Sequence, residues 1–250
     1  MRVAFLAFMV TVLGPLPVLA DQALDPPPET QAEITFNQQT DALLRSGRYA
    51  DLDKLMNQVQ RDFEEGRRDD ITLMHLFRGF YDTDPTLEEK FNAWIAAYPQ
   101  SYAAMEARGI YYRRIAYLAR GDKYVNQTPD QQLVIMNVYL KRAMESHVAA
   151  LKLTSKPILS YFDILSVAKL VGGQQVADQM LAQANQVDPQ NFIVRYKYLV
   201  MLETRWGGGL QKMQQFRADA QKSGMPIEQL RYFDDCISEE IAWLAQRGRQ

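Results

Sequence analysis

Apolar residues recur along this chain three and four positions apart, the spacing that lines one face of an α-helix, and polar punctuation cuts the pattern into segments. Ile34, Phe36, Leu43 and Leu44 form a first helical face ending at Ser46-Gly47, and Tyr49, Leu52, Leu55, Met56 and Val59 form a second. Gly47 between them predicts a helical hairpin, because glycine readily takes the left-handed conformation that ends many helices. The charged connector Gly66-Arg67-Arg68-Asp69-Asp70 leads to a third helix carrying Ile71, Leu73, Met74, Leu76, Phe77 and Phe80. Asp84-Pro85 predicts the cap and first turn of a fourth, with Phe91, Trp94, Ile95 and Tyr98 at i, i+3, i+4 and i+7.

Pro99-Gln100-Ser101 restarts the chain into a fifth helix, through Met105, Tyr112, Ile115 and Ala119 to Gly121. After a polar loop, Thr128-Pro129-Asp130 opens a long sixth with Leu133, Met136, Leu140, Met144 and Leu151. A seventh begins at Lys156-Pro157 and stops at Gly172-Gly173. The eighth, with Val176, Ala177, Met180, Leu181, Ala184 and Val187, ends in Asp188-Pro189. Ile193, Tyr196, Leu199, Val200 and Leu202 mark a ninth; a tenth runs to Gly224, and Pro226 opens the last, ending near Gln246. No strand-like alternation competes with this pattern, so the expected fold is all-α. Proline and glycine punctuation in the second half recurs at about 32 to 37 residues, near the tetratricopeptide (TPR) period. That predicts antiparallel helix hairpins stacked into a curved solenoid, each pair covering the apolar face of the next.

The joint between the ninth and tenth helices is Thr204-Arg205-Trp206-Gly207-Gly208-Gly209. Three glycines are too costly for a helix interior, at about 1 kcal/mol each. Gly207 is expected in the left-handed position, Trp206 as a wedge between the flanking helices, and Arg205 on helix-end carbonyls. Arg205, Trp206, Gly207 and Gly208 therefore read as a structural joint.

The N-terminus adds a destination. Met1-Arg2, the apolar run from Val3 to Leu13, then Gly14, Pro15, Pro17 and Val18-Leu19-Ala20 before Asp21 have the layout of a secretory signal peptide. The expected organisation is residues 1–20 as signal, 21–30 as a flexible lead-in containing Pro26-Pro27-Pro28, and 31–247 as one helical domain in the periplasm. The formal charge is −2, and loss of Arg2 makes it one unit more negative. A mildly acidic chain has no electrostatic footprint for nucleic acid, and no segment suits stable membrane insertion.

Candidate chemistry is sparse. Cys236, the single cysteine, cannot form an internal disulfide and sits among Phe233, Ile237 and Ile241 as a small buried hydrophobe. His75 and His147, the only histidines, have no metal-type partner at helical spacing; His147 falls in the apolar stripe of the sixth helix, as a satisfied core residue does. Asp234, Asp235, Glu239 and Glu240 read as a solvated face of the last helix. No catalytic residue, metal or cofactor is predicted. The one candidate partner-binding set is Arg113, Tyr117 and Arg120 on the fifth helix, with Arg114 beside them, placed opposite the apolar side where guanidinium groups and a ring suit an acidic partner.

Gln183-Ala184-Asn185-Gln186-Val187-Asp188-Pro189 resembles the helix end of a TPR unit. Arg205-Trp206-Gly207-Gly208, followed by Met213 and Phe216, resembles an uncharacterised bacterial family of TPR-like helical proteins whose motif reads Pro-Arg-Trp-Gly-Gly-Ser; here Thr204 and Gly209 replace its outer residues. Trp94 with Pro99 and Ser101, and Ala119-Arg120-Gly121, are similar to that family's upstream pattern. The resemblance implies a fold and carries no activity. Together these features predict a non-enzymatic exported interaction or scaffold module that binds another protein or peptide. The alternative is a hydrolytic enzyme whose carboxylates are scattered in sequence.

Overall fold

A computed structural model describes residues 28–121 and 127–247; the expected signal segment and most of the expected lead-in lie outside the described residues. Among the described residues there are eleven α-helices and no strand. They are α1 (Gln31–Arg45), α2 (Tyr49–Glu64), α3 (Asp70–Leu76), α4 (Leu87–Ala97), α5 (Tyr102–Arg120) and α6 (Asp130–Ala150), then α7 (Ile158–Val171), α8 (Gln174–Val187), α9 (Phe192–Met201), α10 (Leu210–Lys222) and α11 (Ile227–Arg247). None is long and apolar enough to cross a membrane.

Local chemistry explains the starts. Thr30 and Glu33 form a reciprocal capping box on α1, with the Thr30 amide donating to Glu33 Oε2 at 2.7 Å. Asp69 accepts from the Thr72 amide at 2.7 Å on α3, and Ser101 from the Ala104 amide at 3.1 Å on α5. The expected third helix is shorter than its apolar stripe: α3 stops at Leu76 and a 3-10 turn, Arg78–Phe80, follows. Gly79 explains the change of course, since a Cβ there would lie 2.3 Å from Thr40 Oγ1 and 2.9 Å from the Asn37 carbonyl oxygen of α1. The fourth helix also starts later than Asp84-Pro85 suggests. Asp84 instead closes a turn, accepting from the Thr86 amide at 3.0 Å, and pairs with Arg45 at 2.9 Å.

One apolar cluster extends from Leu43 to Ile237. α5 is its axis, in contact with α2, α4, α6 and α7. α5 and α6 run antiparallel: Arg108 Nε donates to Ser146 Oγ, the Tyr112 and Tyr139 rings lie 6.0 Å apart and tilted by 42°, and Arg120 reaches Thr128 at 2.6 Å. α3 touches α7 and α9 as well as α1 and α2. A strictly linear stack has contacts only between successive pairs, so α3 adds a long-range closure that the periodicity does not contain.

Candidate functional site

The polar residues that α5 buries lie on one side of it. Tyr102, Glu106, Gly109 and Arg113 succeed one another at three- and four-residue steps, facing His147 of α6 and Ser160 and Asp163 of α7. Glu106 and His147 have 0% exposure, Asp163 1% and Arg113 3%. Arg113 Nε lies 2.8 Å from Asp163 Oδ1, and His147 Nδ1 lies 3.0 Å from Glu106 Oε1. Ser160 donates to Glu106 Oε2 at 2.5 Å and lies 3.3 Å from the Tyr102 hydroxyl. One donor atom each from Glu106, His147 and Asp163 falls within 4.8 Å of the others.

The contacts are close but poorly aligned. Glu106 Oε1, both ring nitrogens of His147 and both carboxylate oxygens of Asp163 are buried without a well-aligned hydrogen bond, although three of these atoms lie within ion-pair distance of a partner, Glu106 and Asp163 contact each other, and the imidazole contacts the Gly109 backbone. Space for the imidazole is made by Gly109: a Cβ there would sit 2.5 Å from His147 Cε1. Burial raises the carboxyl groups of both Glu106 and Asp163 to about 7, against the opposing pull of Arg113. The two titrate as a coupled pair. Burial also lowers His147 to about 4, so its ring is neutral at pH 7.

This geometry revises the expected binding stripe. Arg113 and Arg120 are each 3% exposed, and the Tyr117 hydroxyl donates to the Ser166 carbonyl of α7 at 3.2 Å. The stripe faces inward rather than toward a partner. The reason is that α5 is covered by four other helices, so the side opposite its apolar stripe is not the solvent side. His147 is in the core as expected, with the Gly109 backbone and Glu106 Oε1 as its polar neighbours. Its partners Glu106 and Asp163 come from other helices, at separations that no motif spans. Two local signals do point to them: Gly109 inside a helix, and Asp163 as the lone acid in the apolar run Ile158–Val171.

Gly207 has φ +90°, the left-handed conformation expected of it. Gly208 is the position with no room: a Cβ there would lie 1.9 Å from the Leu202 carbonyl oxygen. Trp206 is half-buried, its ring 5.2 Å from Lys169 Nζ of α7. Arg205 pairs closely with Glu203 instead of with helix-end carbonyls. Glu240 leaves the expected solvated face, being 4% exposed and accepting from the Thr204 amide at 2.9 Å. Cys236 is buried, its thiol pushed up by burial and then by Glu203.

A family model described as a domain of unknown function (DUF4034) matches residues 37–185. The match contains Glu106, Gly109, Arg113, His147, Ser160 and Asp163, and it ends before the Arg205-Trp206-Gly207-Gly208 joint. Comparison with curated proteins and with solved structures yields no match.

Proposed function

The chain belongs to the DUF4034 family, a domain of unknown function, and from that premise we propose that it is an exported, non-enzymatic interaction module of TPR-like helix hairpins that binds an amphipathic helix of another protein. The observation that carries this reading is an aliphatic row on the outer side of α6. Val134, Ile135 and Val138 are 61%, 39% and 46% exposed, and Leu118 of α5, at the same end of the hairpin, is 68% exposed. Val134 and Val138 are one turn apart and Ile135 and Val138 three residues apart, the ridge that a second helix packs against. Four side chains offer on the order of a few hundred Å². A stable self-association needs roughly 800 Å² from each copy, so a single partner helix fits better than a second copy of this chain. The exposed Lys141 lies about one turn further along α6, beside Arg142, which pairs with Glu88 at 2.9 Å; Lys141 suits an acidic residue at one end of that helix.

The hydrolase alternative gains nothing from the converging carboxylates. Glu106 and Asp163 lie beneath α5, α6 and α7 with no more than 1% exposure, and a substrate needs an open face.

The test is a photo-crosslinking residue at Val134 or Val138 in cells, with Lys54 on the open groove between α1 and α2 as control position. The expected result is one protein captured from the α6 positions and not from Lys54. A synthetic helix from that protein should bind the purified chain, with affinity lost in Val134→Asp/Val138→Asp at unchanged melting temperature. Equal capture from Lys54, or a helix that binds the double variant as well, overturns the reading. Export is tested separately: N-terminal sequencing of the periplasmic protein should begin at Asp21, and a chain still starting at Met1 refutes it.

A further inference from the structure

We infer that Glu106, His147 and Asp163 form a buried structural site for a first-row divalent cation of the zinc class, held by one imidazole nitrogen and two carboxylate oxygens. Three helices bring these donors within 4.8 Å of one another, and His147 Nδ1 and Glu106 Oε1 are already 3.0 Å apart. Ligand atoms on a tetrahedral zinc, with bonds of about 2.0–2.2 Å, lie roughly 3.3–3.5 Å from each other. Small side-chain rotations therefore bring the wider separations into range.

The unsatisfied atoms favour a cation over a purely protonic core. Two carboxylates face one guanidinium, leaving one negative charge that the interior must neutralise. A proton shared by Glu106 and Asp163 does so, and the imidazole reaches the Gly109 backbone, yet the 3.0 Å contact between His147 Nδ1 and Glu106 Oε1 stays poorly aligned. A zinc ion between the three side chains gives the imidazole lone pair and both carboxylates a common partner, and a hydroxide in the fourth tetrahedral position balances its second charge. The surroundings also resemble the outer support of a metal site. Ser160 holds Glu106 Oε2 at 2.5 Å, turning Oε1 toward His147, and Arg113 holds Asp163 at 2.8 Å. Gly109 gives the imidazole its room. One nitrogen and two oxygen donors suit zinc and its first-row neighbours better than magnesium or calcium. With every donor at or below 1% exposure, no coordination position is open to a substrate, so the ion enters during folding and its role is structural.

The experiment refolds the full chain from guanidinium and EDTA, with and without zinc sulfate, removes free metal and measures zinc by elemental analysis beside a thermal melt. The expected result is about one zinc per chain and a higher melting temperature for the zinc-refolded protein, with the ion resistant to EDTA until unfolding. Glu106→Gln and His147→Gln should each lower retained zinc at least about tenfold. Glu33→Gln, at the other histidine–carboxylate contact (His75 Nδ1 to Glu33 Oε1, 3.2 Å), should retain it. A wild-type chain that keeps less than about a tenth of an equivalent and melts identically either way overturns the site, as does a Glu106→Gln chain that keeps its zinc. If the variants fail to fold, cobalt(II) in the wild-type chain reads the donors directly. Weak visible d–d bands without thiolate charge transfer support the site; no bands, or a thiolate band from Cys236, refute it.

Discussion

At the scale of single residues, the tightest constraints are steric. Gly109 gives up helix propensity so that the His147 ring can occupy the position of its missing Cβ. Gly109→Ala is expected to destabilise by roughly 1–3 kcal/mol, because the new Cβ would meet the packed His147 ring at 2.5 to 2.9 Å. In His147→Ala the same change should cost much less, and the coupling in a double-mutant cycle by urea melts should exceed about 1 kcal/mol. Purely additive costs would mean that the ring moves aside. The glycine joint has the same logic with a different member in charge. Gly207 has φ +90° and open space around it, so Gly207→Ala costs about 1 kcal/mol of backbone strain. Gly208→Ala must displace the Leu202 carbonyl, 1.9 Å from the new Cβ, and should be clearly the more destabilising of the two in the same melts. Trp206→Ala, at a half-buried ring, should fall well short of the roughly 3–5 kcal/mol of a fully packed aromatic.

At the scale of elements, two helix-end groups are satisfied by acids from distant parts of the chain. Asp70, in the first turn of α3, accepts from the Phe192 and Ile193 amides of α9 at 2.5 and 3.0 Å. The first amides of a helix have no partner within it, and α9 has no capping side chain of its own. Asp70→Ala should therefore destabilise by about 1–2 kcal/mol and speed amide exchange at Phe192 and Ile193 first. Asp70→Asn keeps an acceptor oxygen and should lose less. Unchanged exchange at those two amides in Asp70→Ala would show that α9 is held by packing alone. Burial raises Asp70 to about 6, so this cap is a carboxylate at neutral pH held against its own desolvation. Glu240 plays the corresponding part for the Thr204 amide.

For the whole molecule, the buried titratable groups set how stability depends on pH in the metal-free chain. Glu106 and Asp163 are raised to about 7 in the fold, and unfolding returns them to the ordinary carboxylate range. Between those limits the folded state binds the more protons, so stability falls as pH rises from about 4.5 to about 7. His147, lowered to about 4, acts in the opposite sense: unfolding lets it take up a proton below its ordinary 6.5, so its contribution rises with pH across that window. Each net proton changes stability by about 1.4 kcal/mol per pH unit. Urea melts in EDTA should show a wild-type decline toward neutral pH that becomes steeper in His147→Gln. A stability that instead rises from pH 4.5 to 7 in both would refute the buried carboxyl pair as the dominant group.

The helices themselves were legible because they are local. Spacing of apolar residues, Gly47, Gly172 and Gly224 at helix ends, and prolines at helix starts all act within a few residues, so an all-α chain and most element boundaries follow from the sequence alone. The left-handed Gly207 and the buried Cys236 are legible for the same reason. What the neighbours do is not local. Arg113 and Arg120 look like a solvent face until four helices close around α5, and His147 looks like an ordinary core residue until Glu106 and Asp163 arrive from α5 and α7. Asp70 looks like part of a charged connector until α9 docks on it. Helical periodicity reports which side of a helix is apolar, whereas burial and charge pairing depend on which other helix covers it. That information exists only once the chain has closed on itself.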